Sequence, residues 1–429
     1  MYLLVYNLKL ILERSAFYLA CGSIISILFS IAVSQILLGL ALAILLFSGL
    51  PLKLPPIKLP LALFMVGTIL SLAFSVDPRS GTPQIRKFFV FLVLLVISST
   101  FRKVSEIRAV VLIWAAVESL SAVRSLFQFL QKYQEAQARH EDFYKFYVGD
   151  RITGFMSHWM TFGGEEMVVL LMLVAFLFFA KSSRWKTAGI VSAAILFISL
   201  VLGFTRSIFL LGVPVGMMYL LWNWKRWTVL AVPAVAVIGV LSIGSLRERV
   251  VSVMQPHGER DSNMHREVTF RTGMRMIEAH PLLGLGPEQV KAQFDKWVPA
   301  DVSRPLPEGW YGHLHNIYLQ YAAERGIPTM LAMMWLIGKV LFDFTRALRR
   351  KAGEARFVLH GAIAVILAIL AEGFLEYNLG DSEVLTLFLS VIAMGYVAIA
   401  APASPESDRE SNARPTTPGD SPARPQSAY

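Results

Sequence analysis

The sequence predicts an all-α polytopic membrane protein of about 12 transmembrane helices with one large, partly helical periplasmic loop. Three observations lead there. The chain is 55% hydrophobic and only 16% charged, against about 25% charged in an ordinary soluble domain. Its apolar residues fall in repeated blocks of roughly 15 to 25, the length that crosses a hydrocarbon core of about 30 Å. Lys and Arg gather in every second connection between those blocks, as the positive-inside rule requires of cytoplasmic loops.

The expected spans are 16–32, 34–50, 57–74, 86–100, 107–130, 159–180, 187–203, 206–222, 227–243, 315–343, 357–377 and 382–401. The first two are divided only near Ser34-Gln35, and the fourth and seventh are short. With the N-terminus cytoplasmic, spans two and three are joined by Lys53 and Lys58, and spans four and five by Arg102, Lys103 and Arg108. Later inner connections hold Lys181, Arg184 and Lys186, then Lys225 and Arg226, then Arg346, Arg349, Arg350, Lys351 and Arg356. An odd number of spans would break this alternation. The net charge of +10 is therefore mainly a topology signal, and no nucleic-acid partner is expected. The first apolar block is followed directly by another, unlike a cleavable signal. Cys21 is the only cysteine, so no intramolecular disulfide can form, and the residue reads as packing.

Residues 1–401 thus read as the transmembrane helical domain. It includes the large loop 244–314, which faces the other side of the membrane together with 131–158. Loops of that length are uncommon unless functional or disordered. The larger one is charge-balanced, with nine Lys/Arg and nine Asp/Glu between Gly244 and Gly312. It holds His257, His265, His280 and His313, with His315 just beyond. Residues 402–429, rich in Pro, Ser, Arg, Glu and Ala, cannot bury a core and are expected to form a disordered cytoplasmic tail.

Within the loop, 264–279 reads as a helix with Phe270, Met274 and Ile277 on one inward face. Arg271 can pair with Glu267 and Arg275 with Glu278 along that helix. Arg266 has no acid three or four residues away; it either meets a distant acid or is a cation kept for a ligand. Arg206 lies in the almost absent connection Gly203-Phe204-Thr205-Arg206 at the bilayer boundary. There it must snorkel, pair or bind an anion. His313-Leu314-His315-Asn316 leads into the tenth span at the end of the longest polar loop, where it either caps a helix or performs proton chemistry. Asn316, Gln320 and Glu324 then repeat at i, i+4, i+8, a polar stripe expected to run inward from His315 along a wet cavity. Glu118, Arg124, Arg325, Glu372, Glu376, Asp381 and Glu383 lean toward the same outer half.

The sequence has no Asp-x-Asp pair, no phosphate-binding Gly-rich loop ending in Lys-Ser/Thr and no His-Glu-x-x-His zinc site. Two guanidiniums suit a diphosphate, because the planar fork matches phosphate oxygens and stays charged. Such cations stabilise charge developing on a leaving group, and a neutral imidazole can take the proton of an attacking hydroxyl. A helix N-terminus is expected to disfavour the imidazolium of His315 and keep it available as an acceptor. This set fits transfer from a lipid diphosphate without a metal or other cofactor.

Arg266-x-x-x-Phe270 through His280-Pro-Leu-Leu-Gly-Leu-Gly-Pro287, then His315-Asn316-x-x-Leu319 and Glu324-Arg-Gly326-Ile, resembles the shared signature of the O-antigen ligase and O-antigen polymerase superfamily, with Phe270 where Trp is usual. Arg206-x-x-x-Leu210 resembles the arginine motif of the ligases. His315-Asn316, nine residues, then Gly326 resembles their histidine motif, with Thr329 where a second glycine is common. The resemblance spans about 200–340 and favours a ligase. It implies an inverting, metal-independent glycosyltransferase of the bacterial inner membrane with its site facing the periplasm. The implied donor is a glycan on undecaprenyl diphosphate and the implied acceptor a sugar hydroxyl of lipid A–core. Arg206 and Arg266 would hold the diphosphate and His315 would activate or orient the acceptor. His313, Asn316, Arg271 and Glu324 would be supporting substrate contacts. A polymerase would instead extend lipid-linked repeat units. A lipid-linked oligosaccharide transporter would place charges near the midplane on repeated halves, and no convincing repeat is present.

Overall fold

The computed structural model describes residues 2–181, 183–242, 244, 247–248 and 262–402; His257 and nearly all of the expected tail lie outside them. The described residues are helical with no strand. Seven helical segments are long and apolar enough to cross a membrane: 78–100, 104–138, 159–179, 207–224, 317–348, 355–372 and 382–400. The chain is a multi-pass membrane protein. The other expected spans coincide with shorter apolar helices at 31–47, 58–73, 186–202 and 226–239, and with the first helix, α1 (Tyr2–Ser26), which carries Lys9, Glu13 and Arg14. The break between the first two helices differs from expectation. It lies at 27–30 rather than Ser34-Gln35, because Ser30 is the N-cap of α2 (Ile31–Phe47) and its hydroxyl accepts from the Val33 amide at 3.4 Å.

The helices that follow are α3 (Lys58–Ala73), α4 (Pro78–Arg86), α5 (Phe88–Thr100), α6 (Val104–Ala138), α7 (Phe143–Gly149), α8 (Trp159–Phe179) and α9 (Lys186–Leu202). A π-helical turn, Ser207–Gly212, leads into α10 (Val213–Trp224), and α11 (Ala231–Ser242) follows. After the undescribed stretch come α12 (Ser262–Ala279), α13 (Gln289–Trp297), α14 (Ile317–Leu348), α15 (Ala355–Glu372) and α16 (Ser382–Ala400). The core centres on α8, α15 and α16, whose residues are nearly all buried. Helices α8 and α15 pack on each other, α14 on α3, and α16 on α5. Small residues set the close approaches, as they do where lipid removes the hydrophobic drive for helix association. A Cβ at Gly361 would meet the Met172 sulfur at 2.7 Å, and one at Gly216 would meet Leu171 at 2.6 Å.

Two features of the fold position the loop helix α12 against the membrane helix α14. The first is a break in α14 at Gly326 (φ 80°, ψ 161°), followed by Pro328. The carbonyls orphaned by the break are taken by the His280–Pro287 turn. The Leu285 amide donates to Ala323 O (2.8 Å), the Gly286 amide to Glu324 O (2.9 Å), and the Ile327 amide donates back to Pro281 O (2.8 Å). Left-handed Gly284 and Gly326 allow this approach; a Cβ on Gly326 would lie 2.0 Å from Leu282 O. The Pro-Gly run of the loop and the Glu-Arg-Gly run of α14 are thus two halves of one joint.

The second feature corrects the expected face of α12. Its buried residues are His265, Val268, Thr269, Thr272 and Met276, whereas Phe270 is 51% exposed and Met274 is also exposed. The inward face includes Gly273, which lies directly on Leu314, 2.8 Å from where a Cβ would sit. The expected local pairs are also replaced. Arg271 binds Asp301 (2.6 and 2.8 Å) and Arg275 donates to Val298 O (3.2 Å), so both tie α12 to the segment after α13.

Candidate active site

A cavity of about 1130 Å³ opens where the α9–α10 turn, α12, the Glu308–His315 loop, the α15–α16 turn and the 151–158 segment converge. Arg206, Arg266, His313 and His315 all line it. Residues separated by more than a hundred positions in sequence thus line one cavity. Arg206 is nearly buried at the start of the π-helical turn. The preceding Phe204 adopts a left-handed conformation (φ 51°) and is locked edge-on against Tyr147 at 5.3 Å. Strained backbone of this kind persists only where the surroundings hold it.

His315 is the most constrained side chain of the site. It is 9% exposed and left-handed, with φ 49°. Its Nδ1 lies 3.2 Å from Glu376 Oε1, and its Nε2 lies 3.0 Å from Trp310 O. Both partners are acceptors, so the arrangement is satisfied when both ring nitrogens carry protons. Burial opposes that charge, but the Glu376 carboxylate and the two hydrogen bonds outweigh it and raise the His315 pKa above its ordinary value. Burial likewise pushes the Glu376 carboxyl upward, but His315 overrides it and holds the group down at about 2. The expectation that a helix N-terminus keeps this imidazole neutral is therefore overturned. The buried carboxylate is nearer and carries full charge, whereas a helix end carries about half.

The neighbouring imidazoles are neutral. Burial, reinforced by repulsion from His315, lowers His265 and His313 to about 4 each. His313 Nδ1 accepts from the His315 amide at 3.2 Å, which leaves its proton on Nε2. His265 Nε2 shares the Trp310 carbonyl with His315, at 3.1 Å, so its Nδ1 is the unprotonated nitrogen. The three rings form a cluster, His315 being 4.1 Å from His313 and 5.0 Å from His265 between centroids. Burial also lowers His158, which stacks on Trp159 at 4.3 Å. Arg151 covers that same indole at 4.6 Å. Burial raises Asp381 to about 6, and its carboxylate accepts from Thr161 Oγ1 at 2.8 Å.

Three residues expected as substrate contacts lie away from the cavity. Asn316 is the N-cap of α14: its Oδ1 accepts from the Leu319 amide (2.9 Å) and its Nδ2 donates to Phe374 O (3.0 Å). Glu324 is buried and accepts from the Glu288 amide at 2.8 Å. Arg271 is bound to Asp301. Gln320, between the first two, accepts from the Leu314 amide at 2.8 Å. The polar stripe of α14 therefore fastens three loops rather than wetting a cavity. Periodicity located the stripe but could not say whether ligand or backbone faces it.

Sequence reasoning left out His265 and Glu376 as site members, and with them His158, Trp159, Trp310 and Arg151. Glu376 was visible as an ionisable residue leaning outward, but only the fold brings it under His315. His313, His315 and Glu376 also offer three ligand atoms within 4.8 Å of one another, the one grouping of that kind among the described residues. Any ion there would have to displace the Glu376 and Trp310 hydrogen bonds of His315, because both its nitrogens are engaged.

Residues 169–334 match a family model described as O-antigen ligase. The segment covers Arg206, Arg266, His313 and His315, and it contains both halves of the Gly326 joint. Over this segment the chain is similar to the O-antigen ligase and polymerase superfamily. A search of curated proteins finds no match.

Proposed function

We propose that this protein is an O-antigen ligase: an inverting, metal-independent glycosyltransferase of the bacterial inner membrane. It would move a glycan from undecaprenyl diphosphate to a sugar hydroxyl of lipid A–core at the periplasmic face, completing lipopolysaccharide. One observation carries the reading: two arginines, Arg206 and Arg266, share a cavity with the His315–Glu376 pair. The arginines bind the diphosphate and stabilise the charge that grows on it as it leaves. The acceptor oxygen attacks the anomeric carbon from the face opposite the diphosphate. The new C–O bond forms as the old one breaks, and the electron pair leaves with the diphosphate.

His315 takes the acceptor proton at Nε2. To do so it must first lose the proton it holds toward Trp310 O, and the acceptor hydroxyl then replaces that carbonyl. Glu376 keeps Nδ1–H oriented throughout and stabilises the imidazolium formed, the task a buried carboxylate performs for a catalytic histidine. His313 donates from Nε2 to the bound glycan. The ligase reading also draws on the Arg206-x-x-x-Leu210 motif.

The test is reconstitution of the purified protein in lipid with a lipid-diphosphate glycan. Lipid A–core or a second lipid-linked repeat unit is supplied as acceptor in separate reactions. A single glycan block on lipid A–core supports the ligase, and a lengthening lipid-linked chain replaces it with the polymerase. Activity is expected to survive a strong chelator. Loss on chelation with rescue by a divalent ion would overturn the metal-independent mechanism and direct attention to His313, His315 and Glu376.

A further inference from the structure

A second cavity, of about 500 Å³, lies at the far end of α14 and is lined by Pro56, Lys339, Asp343, Arg346, Ala347, Arg350, Lys351, Tyr396 and Ile399. Arg346 is twenty residues beyond the Gly326 break, about 30 Å along a helix, and the segment from Asn316 to the break adds to that. The sum exceeds the hydrocarbon thickness of about 30 Å, so this groove sits at the membrane boundary opposite the His315 cavity. We propose that it binds the phosphate headgroup of an anionic phospholipid.

The argument is one of charge already spoken for. Asp343 is the single carboxylate in the lining. It is engaged by Lys339 Nζ (2.9 and 3.1 Å) and by the Tyr396 hydroxyl (2.8 Å). Lys351 donates to Ala401 O at 2.8 Å. Arg346 lies in the last turn of α14 and Arg350 in the turn just beyond its end; both line the groove and both are exposed. Among the described residues neither guanidinium meets a carboxylate or carbonyl. Four cations thus surround one satisfied acid, with two planar forks left to face an anion.

Topology alone does not account for this. Arg349 and Arg356 belong to the same basic connection and signal orientation equally well, yet neither lines the groove. The walls beside the guanidiniums are apolar (Pro56, Ala347, Ile399), and Phe342, one turn before Arg346, is 61% exposed. A phosphate carrying acyl chains satisfies both the charge and the apolar wall, whereas free phosphate satisfies only the charge. Basic pockets between transmembrane helices on the cytoplasmic side are physically suited to such headgroups.

The experiment is native mass spectrometry of the full chain released from nanodiscs containing diphosphatidylglycerol, phosphatidylglycerol or phosphatidylcholine, with inorganic phosphate as a separate arm. Wild type is expected to retain the two anionic lipids and not phosphatidylcholine. Arg346→Gln/Arg350→Gln should lose that retention by about tenfold or more, since each cation near an anionic surface contributes appreciably. Arg349→Gln/Arg356→Gln, with the same loss of charge, should retain lipid as wild type does. Arg346→Lys/Arg350→Lys, which keeps the charge, should retain an intermediate share and guards against a folding defect. Equal retention of phosphatidylcholine, equal loss in the two Gln pairs, or binding of inorganic phosphate that displaces the lipid overturns the proposal.

Discussion

His315 enters the site with both ring nitrogens engaged, and that detail dictates how activity responds to pH. As the proposed base it works only when deprotonated. Its pKa is raised above the ordinary 6.5 by Glu376, against the pull of burial. The rate of transfer should therefore climb as pH rises through a midpoint above 6.5. Glu376→Gln removes the charge that raises that pKa, leaving burial dominant. A pH–rate profile of this variant should show a midpoint moved to lower pH and a reduced plateau, and an unmoved midpoint would release Glu376 from its role. The same pair has the opposite effect on stability. The raised His315 pKa contributes stability that is full below 6.5 and is lost as pH rises through the folded value. The depressed Glu376 pKa contributes stability present above 4.5 and lost as pH falls toward about 2. Thermal unfolding should be most resistant between those limits and weaken at alkaline pH. His315→Ala should cost about 10²–10⁴-fold in transfer. His315→Asn separates chemistry from backbone, because Asn tolerates the left-handed conformation and Asn316 already supplies the cap. Near-normal transfer by that variant would move the proton role to another group. Arg206→Ala and Arg266→Ala should each remove most transfer, with Lys replacements rescuing poorly. Arg271→Ala should be mild, since its bond to Asp301 is a solvent-exposed ion pair of the kind that contributes little. Equal loss in all three Ala variants would place Arg271 at the substrate after all.

At the scale of elements, the joint between the broken helix α14 and the His280–Pro287 turn carries the geometry of the site, because it fixes Arg266 on α12 relative to His315 at the head of α14. Gly326→Ala would force a Cβ to 2.0 Å from Leu282 O in a left-handed conformation, and should destabilise by about 2 kcal/mol or more. Gly338 in the same helix has nothing within 4 Å of its would-be Cβ. Gly338→Ala should stabilise by about 0.5–1 kcal/mol. Thermal unfolding in one detergent checks both, and similar melting of the two variants would show that the joint is not a constraint. The sequence displayed this joint as Gly and Pro punctuation without revealing that its two halves pair. Helix positions were legible because apolar block length is dictated by the bilayer, so α8, α15 and α16 fall within a few residues of expectation at most ends. The inward face of α12 was not legible. Large apolar residues normally mark a buried face, but here the close approach at Gly273 turns a face of mixed polarity, from His265 to Met276, inward and leaves Phe270 outside. For the same reason the stripe Asn316, Gln320, Glu324 announced polarity correctly and its purpose incorrectly. Arg206, Arg266 and His315 were legible as residue types suited to a diphosphate, whereas Glu376 needed the turn after α15 to arrive beneath the imidazole.

Across the whole molecule, three connections rich in Lys and Arg gather at one end of the bundle and the His315 cavity lies at the other. The Lys53 amide donates to Ser99 Oγ at 2.8 Å, Arg108 pairs with Glu354, and Lys351 reaches Ala401 O. These contacts gather the connections 53–58, 102–108 and 346–356 at the end of the bundle that holds Arg346 and Arg350. At the opposite end, Gln289 joins Ser80 (2.6 Å) and Thr161 joins Asp381 (2.8 Å). The positive-inside rule leads us to propose that the first boundary is cytoplasmic and the second periplasmic. In a Cys21→Ser background, a cysteine replacing Ser303, which is exposed in the loop between α13 and α14, should react with a membrane-impermeant thiol reagent added to the periplasm. A cysteine replacing Arg349, exposed beyond the end of α14, should react only once the inner membrane is permeabilised. The reverse pattern would put the imidazole cluster in the cytoplasm and remove the periplasmic acceptor from the mechanism. It would also leave the groove at Arg346 and Arg350 facing the outer leaflet. Labelling of both positions from the periplasm would break the alternation of spans itself, because α14 would then fail to cross.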